Sequence, residues 1–301
     1  MKLLSRLLPY FLLAFIVCAC ADDDKLPHEA PEEKVYERLE FPRLSTDPNS
    51  ILLVRRTQNY GINYAIEYDR QKRTQRWTCW QWYRGNSGTS WNRNNWDYAT
   101  DNEWAMRNLR TYGWGDPFQP DPDLAPKYRT ELEEYNSIPF QRGHICASAD
   151  RLNSKEANEQ TFYLSNIMPQ TRALNEGIWS DMEAKVRSWN NDSFRKVLYI
   201  VKGGTIDDAN IQSRTITGMI VPKYFYMAVL CEDNKGQYKA MAFWVEHTSQ
   251  NKKGDALGKY VINIRQLEQQ TGIDFFCNLP DDIEQRVENA AHSEILSAWG
   301  I

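Results

Sequence analysis

The chain has 301 residues, 42% of them hydrophobic and 25% charged, with a formal charge of −4 that becomes −6 when Lys2 and Arg6 are lost with the N-terminal segment. That balance excludes a protein that coats nucleic acid through bulk positive charge, and the length allows one substantial core at the upper end for a single domain. No CxxC pattern offers a zinc site, and only three histidines, His144, His247 and His292, follow residue 45, so a His-rich metal cluster is excluded as well.

Residues 1–19 read as an export signal. Lys2 and Arg6 supply the positive start and residues 7–17 an apolar core too short for a comfortable membrane span. The stretch Val17-Cys18-Ala19-Cys20 resembles a bacterial lipobox, with cleavage after Ala19 and a lipid on Cys20. An ordinary secretory signal with incidental cysteines is the alternative. Residues 20–44, rich in charge and proline, predict a flexible tether, and the acidic run at residues 22–24 resembles surface-export signals of some Gram-negative lipoproteins or is a merely solvated linker. The expectation is an exported protein held at the outer membrane through Cys20, and surface-exposed if the acidic run is such a signal.

A single domain is expected over residues 45–301. Short strands come first, at residues 51–56, 62–68 and 76–83, with a turn at 69–73. Seven of the eleven tryptophans fall between Trp77 and Trp114. They suit a core or the walls of a site, and they also admit a rival reading, a glycan-binding surface lipoprotein with aromatic platforms. Arg84, Arg93, Arg107, Arg110 and Arg142 are candidates for a local basic cleft. Residues 138–146 predict a short strand in which Gly143 permits close backbone approach. Residues 174–189 lack proline and carry Ile178, Met182 and Val186 at helical spacing, which predicts a helix. Further strands are expected at 196–202, 224–231 and 239–245, and a final helix capped by Asp281 runs through Ser293. The fold class is α+β, a central, mainly antiparallel sheet with flanking helices.

Four cysteines remain behind the signal, Cys79, Cys146, Cys231 and Cys277, an even count that in an exported chain allows two disulfides in three pairings. The pairings favoured are Cys231–Cys277 and Cys79–Cys146. A catalytic pair of Cys146 with His144 is rejected, because exported thiols are usually oxidised.

The chemistry concentrates between residues 141 and 187. Along a strand Arg142 and His144 share one face while Gln141 points to the other. On the following helix Asn175, Trp179, Glu183 and Arg187 recur at steps of four and form a slowly turning stripe. A strand bearing His144 against that stripe brings together a base with a pKa near neutrality, an amide oxygen suited to a hard cation, a carboxylate and two guanidinium groups able to grip phosphate. Each residue also has a plainer role available: Asn175 as a helix cap, Glu183 and Arg187 as a solvated i, i+4 pair, and Trp179 as core.

These blocks resemble the DNA/RNA non-specific endonucleases, the ββα-metal (His-metal finger) family with an Asp-Arg-Gly-His motif. The motif is similar to Gln141-Arg142-Gly143-His144, followed by residues 145–151. The second block is similar to Tyr163-Leu164-Ser165-Asn166-Ile167-Met168-Pro169-Gln170 with Asn175, Gly177, Trp179 and Glu183 behind it. Looser matches occur at residues 221–226 and 271–280, and the resemblance covers about residues 50–290. It implies a ββα-metal active site and a sugar-non-specific endonuclease that leaves 5′-phosphate products of DNA and RNA. It also implies Mg²⁺, or Mn²⁺ in its place, with Asn175 as the only direct protein ligand and His144 as general base. Glu183 would act through metal-bound water, Arg142 and Arg187 on phosphate, and Asn166 in holding the site in place. Gln141 stands where the motif has an acid, which keeps open a catalytically impaired relative that only binds nucleic acid.

Overall fold

The computed structural model describes residues 34–91, 103–113 and 115–301. The export signal, Cys20, the acidic run at 22–24, Arg93, Trp96 and Trp114 lie outside the described residues. Of the unit Met1–Val35 only residues 34 and 35 are described, and Tyr36–Ile301 form one compact unit. The tether expected to end at residue 44 therefore gives way to packed chain eight residues earlier. Phe41 is fully buried edge-on against Trp77, Arg43 pairs with Asp274, and Asn278 donates to the Tyr36 carbonyl.

The chain opens with strands β1 (Ser50–Thr57), β2 (Gly61–Asp69) and β3 (Thr74–Tyr83), followed by helix α1 (Glu103–Tyr112), β4 (Gln141–His144), α2 (Lys155–Gln160), β5 (Ile167–Gln170) and α3 (Trp179–Ser188). Then come β6 (Val197–Gly204), β7 (Ile211–Arg214), β8 (Ile220–Pro222), β9 (Tyr224–Glu232), β10 (Tyr238–Glu246), β11 (Val261–Ile262) and helices α4 (Ile264–Thr271), α5 (Asp281–Glu288) and α6 (His292–Trp299). Seven strands form the central sheet in the order β1-β2-β3-β6-β9-β10-β11, with every neighbouring pair antiparallel. The six strands expected from the sequence all belong to it. The turns have local causes: between β9 and β10 the Asp233 carboxylate accepts from the Lys235 and Gln237 amides while Gly236 takes a left-handed φ of 75°.

Both faces of the sheet are covered, so its strands are buried on both sides rather than on alternate residues. One face presents Trp80 and Trp82 of β3, Leu198 and Ile200 of β6, and Phe225, Met227 and Val229 of β9 to Ile178, Met182 and Val186 around α3. The other carries Trp77 and Tyr226, packed on Phe41 and Phe275. The final helix is two helices, because the chain breaks at residues 289–291, and its first helical residue is Asp281, with Pro280 at the cap.

The two expected disulfides are absent: all four described cysteines are free thiols. Each favoured pair straddles the sheet. Cys146 and Cys231 point into the core beneath α3. Cys79 alternates with Trp80 to the opposite face, and Cys277 lies against the Phe41 carbonyl on that side, while Cys231 lies against the Phe194 carbonyl. A disulfide needs Cα atoms within about 7 Å and Cβ vectors that converge.

Candidate active site

Strands β4 and β5 pair antiparallel, with Gln141 opposite Gln170 and His144 opposite Ile167. The chain then turns directly into the helical segment that ends in α3, giving a compact ββα unit laid on the Trp80 face of the sheet. Gly143 is required at the centre of the hairpin, because a Cβ there would lie 2.2 Å from Cδ of the buried Gln170. A cleft of about 610 Å³ opens over this unit, and Gln141, Arg142, His144, Asn175, Glu183 and Arg187 all line it.

His144 is walled by aromatic rings, with Phe162 edge-on at 5.0 Å and Phe118 tilted at 5.3 Å. Phe118 is delivered by backbone bonds from Gln119 to Phe162 and from Leu164 to Gln119. Arg142 lies 4.1 Å above the same Phe118 ring and donates to Asp116 Oδ2 at 2.6 Å, so the loop before it aims its guanidinium along the cleft. Asn166 does not reach the cleft. Fully buried, it accepts from the Cys146 amide and donates to the Cys146 and Thr161 carbonyls at 2.8–2.9 Å, while its own carbonyl accepts from the Ile145 amide. It clamps the two residues that follow His144.

Asn175 sits in a π turn over Leu174–Ile178, not in the α-helix itself, and Gly177 breaks the helical geometry at φ −104°, ψ −121°. The inserted turn interrupts the expected stripe. Asn175, Glu183 and Arg187 line the cleft, whereas Trp179 is buried against Phe225. Asn175 does not cap a helix either. Its Nδ2 donates to Gln141 Oε1 at 2.9 Å, which leaves Oδ1 as its available acceptor. Gln141 Nε2 in turn donates to Glu176 Oε1 at 2.6 Å. Strand alternation placed Gln141 away from Arg142, yet both line the cleft. Its register opposite Gln170, one residue before the turn begins, brings its amide to Asn175. His247 fixes the start of that turn: its Nε2 accepts from the Thr171 amide and its Nδ1 donates to the Pro222 carbonyl, both at 2.8 Å. Burial pushes the His247 imidazole below its ordinary value, as that neutral tautomer requires.

Glu183 and Arg187 are not a solvated pair. They belong to a buried group of four charges with Asp150 and Lys202. Lys202 Nζ lies 3.0 Å from Glu183 Oε1 and 3.2 Å from Asp150 Oδ2, and Arg187 donates to Asp150 Oδ1 at 2.9 Å. Burial drives the Glu183 carboxyl above its ordinary value. Asp150 feels the same burial, but Lys202 and Arg187 outweigh it and hold that carboxyl low. Sequence reading missed Lys202 and Asp116. A lone lysine inside the apolar run of β6 was a usable signal, whereas Asp116 gave none.

Other expectations fall away from the cleft. Of the five arginines proposed to build it, Arg142 lines it, while Arg84 pairs with Asp192 and Arg107 stacks on Trp104. Trp77, Trp80 and Trp82 are core residues, so they offer no exposed platform for a glycan. A trio of carboxylates at Glu268, Asp274 and Glu288 includes none of the expected ligands, and Arg265 and Arg43 already pair with it.

A family model described as DNA/RNA non-specific endonuclease matches residues 54–282. The chain is 26% identical over 264 residues to mouse (Mus musculus) "Nuclease EXOG, mitochondrial", covering 84% of this chain and 63% of that one. It is 27% identical over 252 residues to a "Nuclease" of Nostoc sp., covering 80% and 79%. Against human "Endonuclease G, mitochondrial" it is 26% identical over 192 residues, covering 58% and 64%. The chain thus spans less than two thirds of the mouse and human relatives' length. Its fold is similar to that of a chain in the crystal structure of the EndoG/EndoGI complex, with a TM-score of 0.62 at 19% identity, covering 85% of this chain and 96% of that one.

Proposed function

This chain belongs to the DNA/RNA non-specific endonuclease family, and from that premise we propose that it hydrolyses internal phosphodiester bonds of DNA and RNA, with His144 as base and Mg²⁺ at Asn175. The observation that carries this reading is the convergence of Arg142, His144, Asn175, Glu183 and Arg187 on one cleft. The donor set fits a hard cation: Gln141 occupies the Asn175 NH₂ and leaves an amide oxygen, and Glu183 supplies a carboxylate two turns on. When bound, Mg²⁺, or Mn²⁺ in its place, would stabilise charge developing at the phosphate and the leaving oxygen.

The protein's own groups then divide the work. His144 takes a proton from the attacking water, and its aromatic walls fix the ring and limit bulk water. Arg142, aimed by Asp116, and Arg187, 30% exposed at the cleft wall, bind phosphate oxygens. Glu183 accepts hydrogen bonds from water beside Asn175. In-line attack expelling the 3′ oxygen leaves 5′-phosphate and 3′-hydroxyl ends. Gln141 orients Asn175 and Glu176, a role that needs no proton transfer, which favours an active enzyme over an impaired nucleic-acid binder.

Cleavage of matched plasmid DNA and RNA with added Mg²⁺ tests the reading. His144→Ala should lose about 10²–10⁴-fold in rate while keeping its fold, and Asn175→Ala should need much more Mg²⁺. Wild-type cleavage by His144→Ala removes the base assignment. The location is a separate part of the proposal: Cys20 carries lipid and holds an exported enzyme at the outer membrane, on the strength of the apolar core ending in Val17-Cys18-Ala19-Cys20. Labelling with a palmitate analogue should disappear in Cys20→Ser, and persistent labelling counts against it.

A further inference from the structure

Lys202 stands on the Trp80 face of β6, between the apolar Ile200 and the glycines that end the strand, with Thr78 and Met227 beside it on the flanking strands. It is fully buried, and its ammonium lies 5.0 Å from the Trp80 ring and 5.7 Å from that of Trp179. An ammonium in such a place costs several kcal/mol unless fully paired, and replacement of buried ion pairs by apolar residues is often neutral or stabilising. A role beyond packing would account for its presence. Its two anionic partners come from different elements, Asp150 from the turn after β4 and Glu183 from α3. Arg187 touches the same two carboxylates but is 30% exposed and borders the cleft, whereas Lys202 is reached from nowhere. The other charged or titratable groups facing this cluster are Arg151, itself fully buried over Trp80 and Trp82, and the Cys146 thiol.

We propose that Lys202 is a positioning residue that keeps Asp150 and Glu183 ionised and in place when Arg187 turns from them to a phosphate of the substrate. The inference rests on the reading of the cleft as a nuclease site. Two carboxylates this close and this buried cannot both stay charged beside a single cation that also binds substrate. With Lys202 fixed beneath them, the balance inside the protein survives the departure of Arg187, so phosphate binding does not force a proton onto Glu183.

The test is Lys202→Met, which keeps length and apolar volume among Trp80, Trp179 and Met227. Loss of an opposite charge raises a neighbouring carboxyl by about 1–3 pH units. The thermal midpoint of Lys202→Met should therefore fall as pH rises through neutrality relative to wild type, because a carboxyl with a raised folded-state pKa stabilises at low pH and ceases to do so above that pKa. This readout needs no catalysis. The acid limb of the rate profile should move up by a similar interval, with a loss of about tenfold or more at neutral pH. In a Glu183→Gln background the same substitution should cost much less, since the two residues act as a unit.

A melting profile parallel to wild type at every pH, or a rate loss equal at all pH values and equal in the Glu183→Gln background, overturns the proposal. Wild-type protein that fails to cleave, together with the pH-dependent melting of the variant, would instead leave the charge role standing and discard the nuclease reading. If Lys202→Met does not fold, Lys202→Met with Asp150→Asn removes one charge of each sign. That protein should fold with a raised KM, because Arg187 is then the only nearby cation holding Glu183, and a wild-type KM refutes the inference.

Discussion

Asn166→Ala would remove the clamp behind His144. Three side-chain hydrogen bonds of 2.8–2.9 Å disappear, leaving the Cys146 amide, the Cys146 carbonyl and the Thr161 carbonyl without those partners in a fully buried place. Each such bond contributes a net of about 0.5–1.5 kcal/mol, and orphaned partners put the loss toward the upper end. The expected cost is about 3 kcal/mol, which lowers the melting midpoint of a chain this size by about 6–12 °C. Asn166→Asp sharpens the test at constant shape. Its carboxylate still accepts from the Cys146 amide but meets two carbonyl oxygens where Asn donated. Protonation restores one donor, so the folded state binds that proton more tightly than the unfolded chain and stability falls as pH rises. Urea and thermal unfolding at pH 5 and pH 8 measure both effects. An Ala variant within about 1 kcal/mol of wild type, or an Asp variant no more stable at pH 5 than at pH 8 relative to wild type, would refute the clamp.

Gln141→Asp keeps an acceptor for Asn175 but loses the donor to Glu176, so the cleavage rate should change by no more than about tenfold, roughly 1.4 kcal/mol; an inactive wild type rescued by Asp would show that the acid is essential. His247 must stay neutral to accept from Thr171, and burial holds its pKa below the ordinary 6.5, so its contribution is present above that value and is lost as pH falls through the lower folded pKa. His247→Gln should flatten the acid side of the stability profile, and an unchanged profile sinks the assignment. Finally, reductant should leave the melting midpoint unchanged, and Cys79, Cys146 and Cys231 should react with thiol reagents only after unfolding, because burial raises the pKa of all three. A reductant-sensitive midpoint would restore a disulfide.

The sequence by itself determined what local periodicity and residue chemistry can carry. Alternating apolar runs located six strands of the central sheet, and the helical spacing of Ile178, Met182 and Val186 located α3, because both patterns follow from covalent geometry. Arg142, His144, Asn175, Glu183 and Arg187 were legible as a set, since their spacings along one strand and one helix nearly fix their directions. Only tertiary structure decided the rest. The π turn at Gly177 moved Trp179 out of the stripe and left Asn175 in the cleft, and the hairpin register sent the Gln141 amide to Asn175. The cysteine pairings failed because an even count says nothing about which side of a sheet each thiol faces. Lys202 and Asp150 lie 52 residues apart in sequence and meet only when α3 packs on β6. Contacts of that kind depend on how layers stack, and no local pattern encodes them.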